Sequence, residues 1–106
     1  MPRPRLNLPR TAARGDIVEI KVLVAHHMES GQRRDVQGNP IPRKILNRFT
    51  CTFNGTPVFE ADLFPAVSAN PFLTFYARVE QTGRFEFTWT DDDGSVITES
   101  ADIEVT

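Results

Sequence analysis

The stretch GRFEFTWTDDDG, residues 83–94, decides the fold class of this chain. Its three large aromatic residues alternate with polar ones, which is the period-two pattern of a β-strand with one buried face. The residues Asp92, Asp93 and Gly94 that follow are typical of a hairpin turn. We therefore expect a strand that turns back on itself here, with its aromatic rings in the core.

Alternation of the same period extends outward on both sides of this stretch. Further strands are predicted over residues 18–24, 45–53, 58–61, 72–80 and 95–105. Asn54-Gly55 is the sequence of a type I′ hairpin turn, and apolar residues nowhere follow a helical period for more than two turns. Short strands with turns at roughly ten-residue spacing predict an all-β fold, an immunoglobulin-like β-sandwich of about seven antiparallel strands.

A chain of 106 residues has room for one hydrophobic core. Hydrophobic residues make up 40% of it and charged residues 25%, the proportions of a globular protein. Its single cysteine excludes an internal disulfide and a cysteine-based zinc site. No apolar run approaches the ~18 residues of a membrane-spanning helix, and residues 1–14 lack the apolar segment of a signal peptide, so we expect neither.

The first fourteen residues, MPRPRLNLPRTAAR, contain three prolines and four arginines. This composition predicts a flexible basic N-terminal arm over residues 1–14, ahead of a single domain over residues 15–106. Two further stretches, 26–42 and 63–71, are interrupted by proline or glycine and are predicted to be long loops. Long loops in a compact domain are commonly functional.

Charge is distributed unevenly along the chain, although the formal net charge is only −2. Residues 1–48 carry ten Lys or Arg against four Asp or Glu, a net of +6, and residues 49–106 carry two against ten, a net of −8. Such a split indicates either two faces that meet different partners or strands of one domain that attract each other. Because no aromatic residues interleave with the basic arm and the net charge is small, we expect neither a nucleic-acid nor a membrane partner.

Motifs for catalysis or metal binding are weak in this sequence. His26, His27 and Met28 have soft metal-ligand character that suits copper, but adjacent side chains on a strand point to opposite faces. Cys51 lies on the inward phase of its predicted strand, as a small buried hydrophobe would. No phosphate loop, nucleophile elbow or dinucleotide motif occurs. We expect no catalysis, no cofactor and no metal; the alternative is a small metal-binding or thiol-active protein that uses these four residues.

Several aromatic residues fall on the strand phase opposite the predicted core. Phe59 alternates with Val58, and Phe72 and Tyr76 alternate with Phe75 and its neighbours. The outward phase of a sandwich strand is polar unless another surface covers it. These residues, together with apolar side chains in the two long loops, favour a protein–protein interface.

Three segments resemble one known family closely: GQRRDVQGNPIPRKILNRFTCTFNG (residues 31–55), ADLFPAVSANPF (residues 61–72) and FEFTWTDDDGSV (residues 85–96). They are similar to the SoxZ family, the Z subunit of the thiosulfate-oxidising Sox system, and the resemblance runs from about Gly15 to the end. It implies an immunoglobulin-like sandwich and a non-catalytic subunit of the SoxYZ carrier complex. The partner implied is the Y subunit, which carries sulfur intermediates covalently on a C-terminal cysteine.

The resemblance also implies a location and further contacts. Family members lack their own signal and are exported to the periplasm with the Y subunit, so we expect the same here, with transient contacts to other Sox enzymes and a homodimer as an option for the isolated chain. The family usually has His-Pro-Met-Glu where this chain has residues 26–29, HHME. Cys51 does not correspond to the carrier cysteine, which belongs to the partner.

The expected contact residues combine the outward aromatics with the basic and apolar residues of the two loops. The basic loop would hold or steer anionic groups of the partner. The candidate partner-binding residues are Met28, Arg33, Arg34, Arg43, Phe64, Val67, Asn70, Phe72 and Tyr76.

Overall fold

A computed structural model describes residues 4–24, 34–40, 44–63 and 72–106. These ranges contain eight β-strands and no helix, hence none of the length and apolarity needed to cross a membrane. The strands are β1 (Arg5–Asn7), β2 (Thr11–Ala12), β3 (Ile17–Leu23), β4 (Leu46–Phe53), β5 (Thr56–Asp62), β6 (Phe72–Arg78), β7 (Gly83–Asp91) and β8 (Val96–Val105).

The strands form two sheets. One has three strands in the order β1-β3-β6, and the other has five in the order β2-β8-β7-β4-β5. Neighbouring strands are antiparallel except for the short parallel pair of β2 and β8. The structure therefore confirms the predicted all-β, immunoglobulin-like sandwich.

Aromatic rings join the two sheets. Phe75 of β6 stacks on Phe59 of β5, with ring centroids 4.4 Å apart and planes 8° from parallel, and also contacts Phe49 of β4 at 5.8 Å. The ring centroid of Trp89 of β7 lies 5.0 Å from that of Phe49, and both side chains are fully buried. Because these rings come from both sheets, the core lies between the layers.

Phe59 points into this core. The prediction placed its ring on the outward phase, and that prediction is wrong: Phe59 is half-buried against the core and Val58 is exposed. The cross-strand register supplies the reason, because Phe59 lies opposite the inward-facing Cys51. A register shift next to Cys51 then leaves Val58 without a paired residue.

A second irregularity explains two consecutive buried residues at the start of β4. Ile45 and Leu46 are both fully buried, although strict alternation predicts that Leu46 faces outward. The pairing of β4 with β7 shifts register between Leu46 and Arg48, which is the signature of a β-bulge. The extra residue changes the side-chain direction, so the alternation prediction is wrong for Leu46.

The two predicted hairpin turns are confirmed by the backbone. Asn54 and Gly55 join β4 to β5 with φ values of 50° and 85°, the left-handed conformation that a type I′ turn requires. Gly94, in the turn between β7 and β8, has φ of 85°, and its N–H donates to the carbonyl of Asp91 at 2.9 Å.

Carboxylates in the turn between β7 and β8 hold it against the start of β4. Lys44 Nζ lies 3.4 Å from a carboxylate oxygen of Asp91 and 3.2 Å from one of Asp93. Asp92 accepts hydrogen bonds from the backbone N–H of Ile45 and from the side-chain amide of Asn47. These acidic residues therefore serve the fold by fixing the position of one strand end.

Residues 5–7 and 11–12 of the predicted N-terminal arm belong to the two sheets. β1 pairs with β3 in one sheet, and β2 pairs with β8 in the other. Leu6, Leu8 and Ala12 are partly buried against the core. The prediction of a flexible arm is wrong for these residues, because apolar side chains between the prolines and arginines gain stability by packing on the sheets.

We expect Phe75→Ala to lower the free energy of unfolding by about 3–5 kcal/mol, because it removes the ring that joins the sheets and leaves a cavity. Phe72→Ala, three residues earlier on the same strand but on the outward face, is the matched control and should cost less than about 1 kcal/mol. Urea unfolding followed by the fluorescence of Trp89, the single tryptophan, measures both. Equal losses would contradict the role assigned to Phe75.

Candidate partner-binding face

The outward side of the three-stranded sheet, here called the three-stranded face, exposes large apolar side chains. Ile17 and Tyr76 are each 61% exposed and Phe72 is 58% exposed, with half-buried Leu23 beside them. The face consists of Arg5, Asn7, Ile17, Glu19, Lys21, Leu23, Phe72, Thr74, Tyr76 and Arg78.

The strand register arranges the apolar residues of this face in two pairs. At one end Leu23 lies opposite Phe72, and Arg5 of β1 lies opposite Leu23 on its other side. At the other end Ile17 lies opposite Arg78 and is a diagonal neighbour of Tyr76. Each apolar pair therefore has an arginine next to it.

Hydrogen bonds and ion pairs connect the polar residues between these pairs. The Tyr76 hydroxyl donates to Glu19 Oε2 at 3.0 Å, and Lys21 Nζ lies 3.4 Å from Glu19 Oε1. The hydrogen bond to Glu19 raises the pKa of Tyr76 above its ordinary value, and the negative charge of Glu19 adds to the effect. The tyrosine ring is thus held in a defined position although it is exposed.

A groove of about 350 Å³ lies at the end of the face where β1 begins. Apolar Leu23 and Phe72 and the cationic Arg5 and Lys21 contribute to its walls. A groove with apolar walls and cationic edges suits a protein segment that has both apolar and acidic side chains.

The outward side of the five-stranded sheet is different in character. Its centre is a cross-strand row of threonines, Thr50, Thr88 and Thr98, which are polar and carry no charge. The cations on this side are ion-paired: Arg48 contacts Glu60 and Asp62, and Arg84 contacts Asp102. A side that is polar and whose arginines are already paired with carboxylates has little apolar surface to gain from being covered, so the three-stranded face is the better candidate for an interface.

The structure describes three of the predicted contact residues, Arg34, Phe72 and Tyr76. The exposure of Phe72 and Tyr76 is confirmed, and their role in binding stays a prediction. Arg34 is exposed and its guanidinium donates to the Gly38 carbonyl at 2.9 Å, within a small turn that closes at Pro40. The remaining predicted residues, Met28, Arg33, Arg43, Phe64, Val67 and Asn70, lie outside the described residues.

The predicted contact set lacked the other two large apolar residues of this face, Ile17 and Leu23, and two of its cations, Arg5 and Arg78. Ile17 and Leu23 lie on the outward phase of β3, so the alternation that predicted the strand contained the signal for them. Arg5 and Arg78 carried no comparable signal, because their place beside the apolar pairs follows from strand pairing across the sheet.

Cys51 is fully buried within β4, as predicted. Desolvation raises the pKa of its thiol to about 12, which keeps it protonated and unreactive at neutral pH. Within the described ranges no group of three or more His, Cys, Asp or Glu is placed to hold a metal ion. The other residues of the alternative proposal, His26, His27 and Met28, lie outside those ranges.

The raised pKa of Cys51 predicts a pH effect on stability. Above the ordinary thiol value of 9.0 the unfolded chain loses a proton that the folded chain keeps until about pH 12, so the folded state loses stability as pH rises through this window. We expect wild type to lose about 1.4 kcal/mol per pH unit there relative to Cys51→Ala, in which this titration is absent. Parallel pH profiles of urea unfolding for the two proteins would contradict the assignment.

The single tyrosine of the chain allows the Tyr76–Glu19 contact to be measured directly. We expect Glu19→Gln to shift the phenol titration to lower pH, because it removes the negative charge that opposes ionisation. Phenolate absorbance against pH measures the shift, and Glu86→Gln on the opposite side of the sandwich should leave it unchanged. A titration that is insensitive to Glu19→Gln would show that the contact does not form in solution.

Solved structures with the same architecture come from proteins of different function. A superoxide reductase (neelaredoxin) from Ignicoccus hospitalis has a TM-score of 0.77 at 14% identity, with 98% of this chain and 80% of that one covered. The sulfur carrier protein SoxY from Chlorobium limicola f thiosulfatophilum has a TM-score of 0.68 at 15% identity, with 97% and 78% covered. At such low identity these similarities establish the fold alone.

Sequence comparison is more specific than the fold. No curated protein matches the chain by sequence. The family described as "Sulphur oxidation protein SoxZ" matches residues 6–102, which include every described strand except Arg5 of β1 and the last three residues of β8. The match also covers the three segments whose resemblance to this family is noted above. By this match over nearly its whole length, the chain belongs to the SoxZ family.

Proposed function

We propose that this chain is a non-catalytic subunit of the SoxYZ carrier complex in sulfur-compound oxidation, and that it binds the Y subunit through the three-stranded face. Membership of the SoxZ family supports a role in Sox sulfur oxidation. In this proposal the Y subunit carries the sulfur intermediates covalently on its C-terminal cysteine, and this chain supports it.

The observation that carries the proposal is the exposure of Ile17, Phe72 and Tyr76 on one side of one sheet. Burying one such aromatic side chain contributes about 1.5–3 kcal/mol, so two of them supply a substantial part of the free energy of a stable complex. The aromatic residues are also of the type that concentrates at the centre of protein interfaces.

The state of Cys51 supports a non-catalytic role. A covalent carrier or nucleophile needs an accessible thiolate, and Cys51 is fully buried with a raised thiol pKa. Since the chain has no second cysteine, the covalent attachment of sulfur is assigned to the partner. We further propose that the complex works in the periplasm, that this chain reaches it together with the Y subunit, and that other Sox enzymes contact the complex transiently.

Co-purification tests the face assignment. Phe72→Asp combined with Tyr76→Asp should abolish recovery of the Y subunit with this chain, because two carboxylates would have to be desolvated in the interface. Thr98→Asp combined with Ser100→Asp, on the opposite side of the sandwich, is the matched control and should recover as much Y subunit as wild type.

Thermal unfolding of the isolated variants separates loss of binding from loss of folding, since all four positions are exposed in the isolated chain. A complex that survives the Phe72 and Tyr76 substitutions would move the interface away from the three-stranded face. A complex lost with the Thr98 and Ser100 substitutions alone would place it on the five-stranded sheet.

A further inference from the structure

Two arginines of the three-stranded face have no ion-pair partner among the described residues. Arg5 lies beside Leu23 and Phe72 at one end of the face, and Arg78 lies opposite Ile17 at the other end. Both are exposed. Each positive charge therefore stands next to an apolar pair with no carboxylate of the same face to neutralise it.

Glu19, the carboxylate of this face, already has two partners. Glu19 accepts the hydrogen bond from Tyr76 and is ion-paired with Lys21. The contrast with the opposite side of the sandwich is clear, because Arg48 and Arg84 there lie 2.6–3.0 Å from carboxylates of neighbouring strands. Among the residues that the structure describes, the arginines on the outward side of the five-stranded sheet are paired with carboxylates, whereas Arg5 and Arg78 of the three-stranded face are not.

The register gives the spacing of these two charges. Arg5 lies opposite Leu23 and Arg78 lies opposite Ile17, and these two positions of β3 are six residues apart in the sequence. At about 3.3 Å per residue this separation is roughly 20 Å along the strand. Tyr76 lies between the two ends, and Phe72 lies at the same end as Arg5.

We propose that the surface which covers the three-stranded face has an apolar centre and carries two carboxylates, roughly 20 Å apart, that pair with Arg5 and Arg78. The inference rests on the proposed function, in which the Y subunit supplies that surface. Arginine pairs with carboxylates through two parallel hydrogen bonds, so the two contacts would fix the orientation of the partner as well as attract it.

Charge argues against a second copy of this chain as the occupant. The face carries three cations, Arg5, Lys21 and Arg78, and one carboxylate, Glu19, for a net charge of +2. Two such faces packed together would bring like charges into contact, which is unfavourable in a desolvated interface. With an acidic partner this repulsion is absent, and the attraction between its carboxylates and the cations of the face stabilises the complex.

Association kinetics with the purified Y subunit test the inference. Arg5→Gln combined with Arg78→Gln should slow association about tenfold at low ionic strength. The difference from wild type should vanish at about 1 M salt, where the Debye length is about 3 Å. The matched control is Arg10→Gln combined with Arg84→Gln, which removes the same net charge from exposed arginines outside the face and should slow association less than twofold.

The outcomes separate this inference from the proposed function. Equal slowing by both double variants would show that net charge alone matters and would overturn the inference, as would an unchanged rate for Arg5→Gln with Arg78→Gln. In either case the proposed function stands if Phe72→Asp with Tyr76→Asp abolishes the complex. If wild type does not bind the Y subunit at all, the proposed function fails and this inference fails with it.

Discussion

The stacking of Phe75 on Phe59 is the contact on which the rest of the arrangement depends. It joins β6 of one sheet to β5 of the other, and Phe49 extends the contact to β4. Because side chains of a strand alternate between its two sides, an inward Phe75 requires Phe72 and Tyr76 to point outward. Cohesion between the sheets and the exposed aromatic surface are thus two consequences of one strand orientation.

The two outer sides of the sandwich have different physical characters. The five-stranded sheet presents uncharged threonines and arginines paired with carboxylates of neighbouring strands. The three-stranded sheet presents apolar side chains and two arginines that have no ion-pair partner in the part of the chain that the structure describes. The polar groups of the first side interact with one another and with solvent. Covering the second side with an apolar and acidic surface is favourable, because it buries the apolar side chains and pairs the arginines. The separation of basic and acidic residues along the sequence thus corresponds in part to two faces of the folded domain.

Among the described residues, this domain offers a binding surface rather than an accessible reactive group. Its fold is shared by superoxide reductases and by a SoxY protein at 14–15% identity, so the fold does not select a function. Family membership selects the Sox system, and burial of Cys51 keeps the one thiol of the chain away from sulfur chemistry. In the proposed complex, this subunit contributes a shaped and charged face to a partner that carries the reactive group.

Local sequence patterns sufficed for the six longer strands β3–β8, the Asn54-Gly55 turn, the burial of Cys51 and the outward direction of Phe72 and Tyr76. These features depend on alternation and backbone preference within a few residues. The inward turn of Phe59, the burial of Leu46 and the incorporation of Arg5 into a sheet were decided by tertiary structure. Each follows from which residues of a distant strand lie opposite, and neither alternation nor composition encodes that pairing.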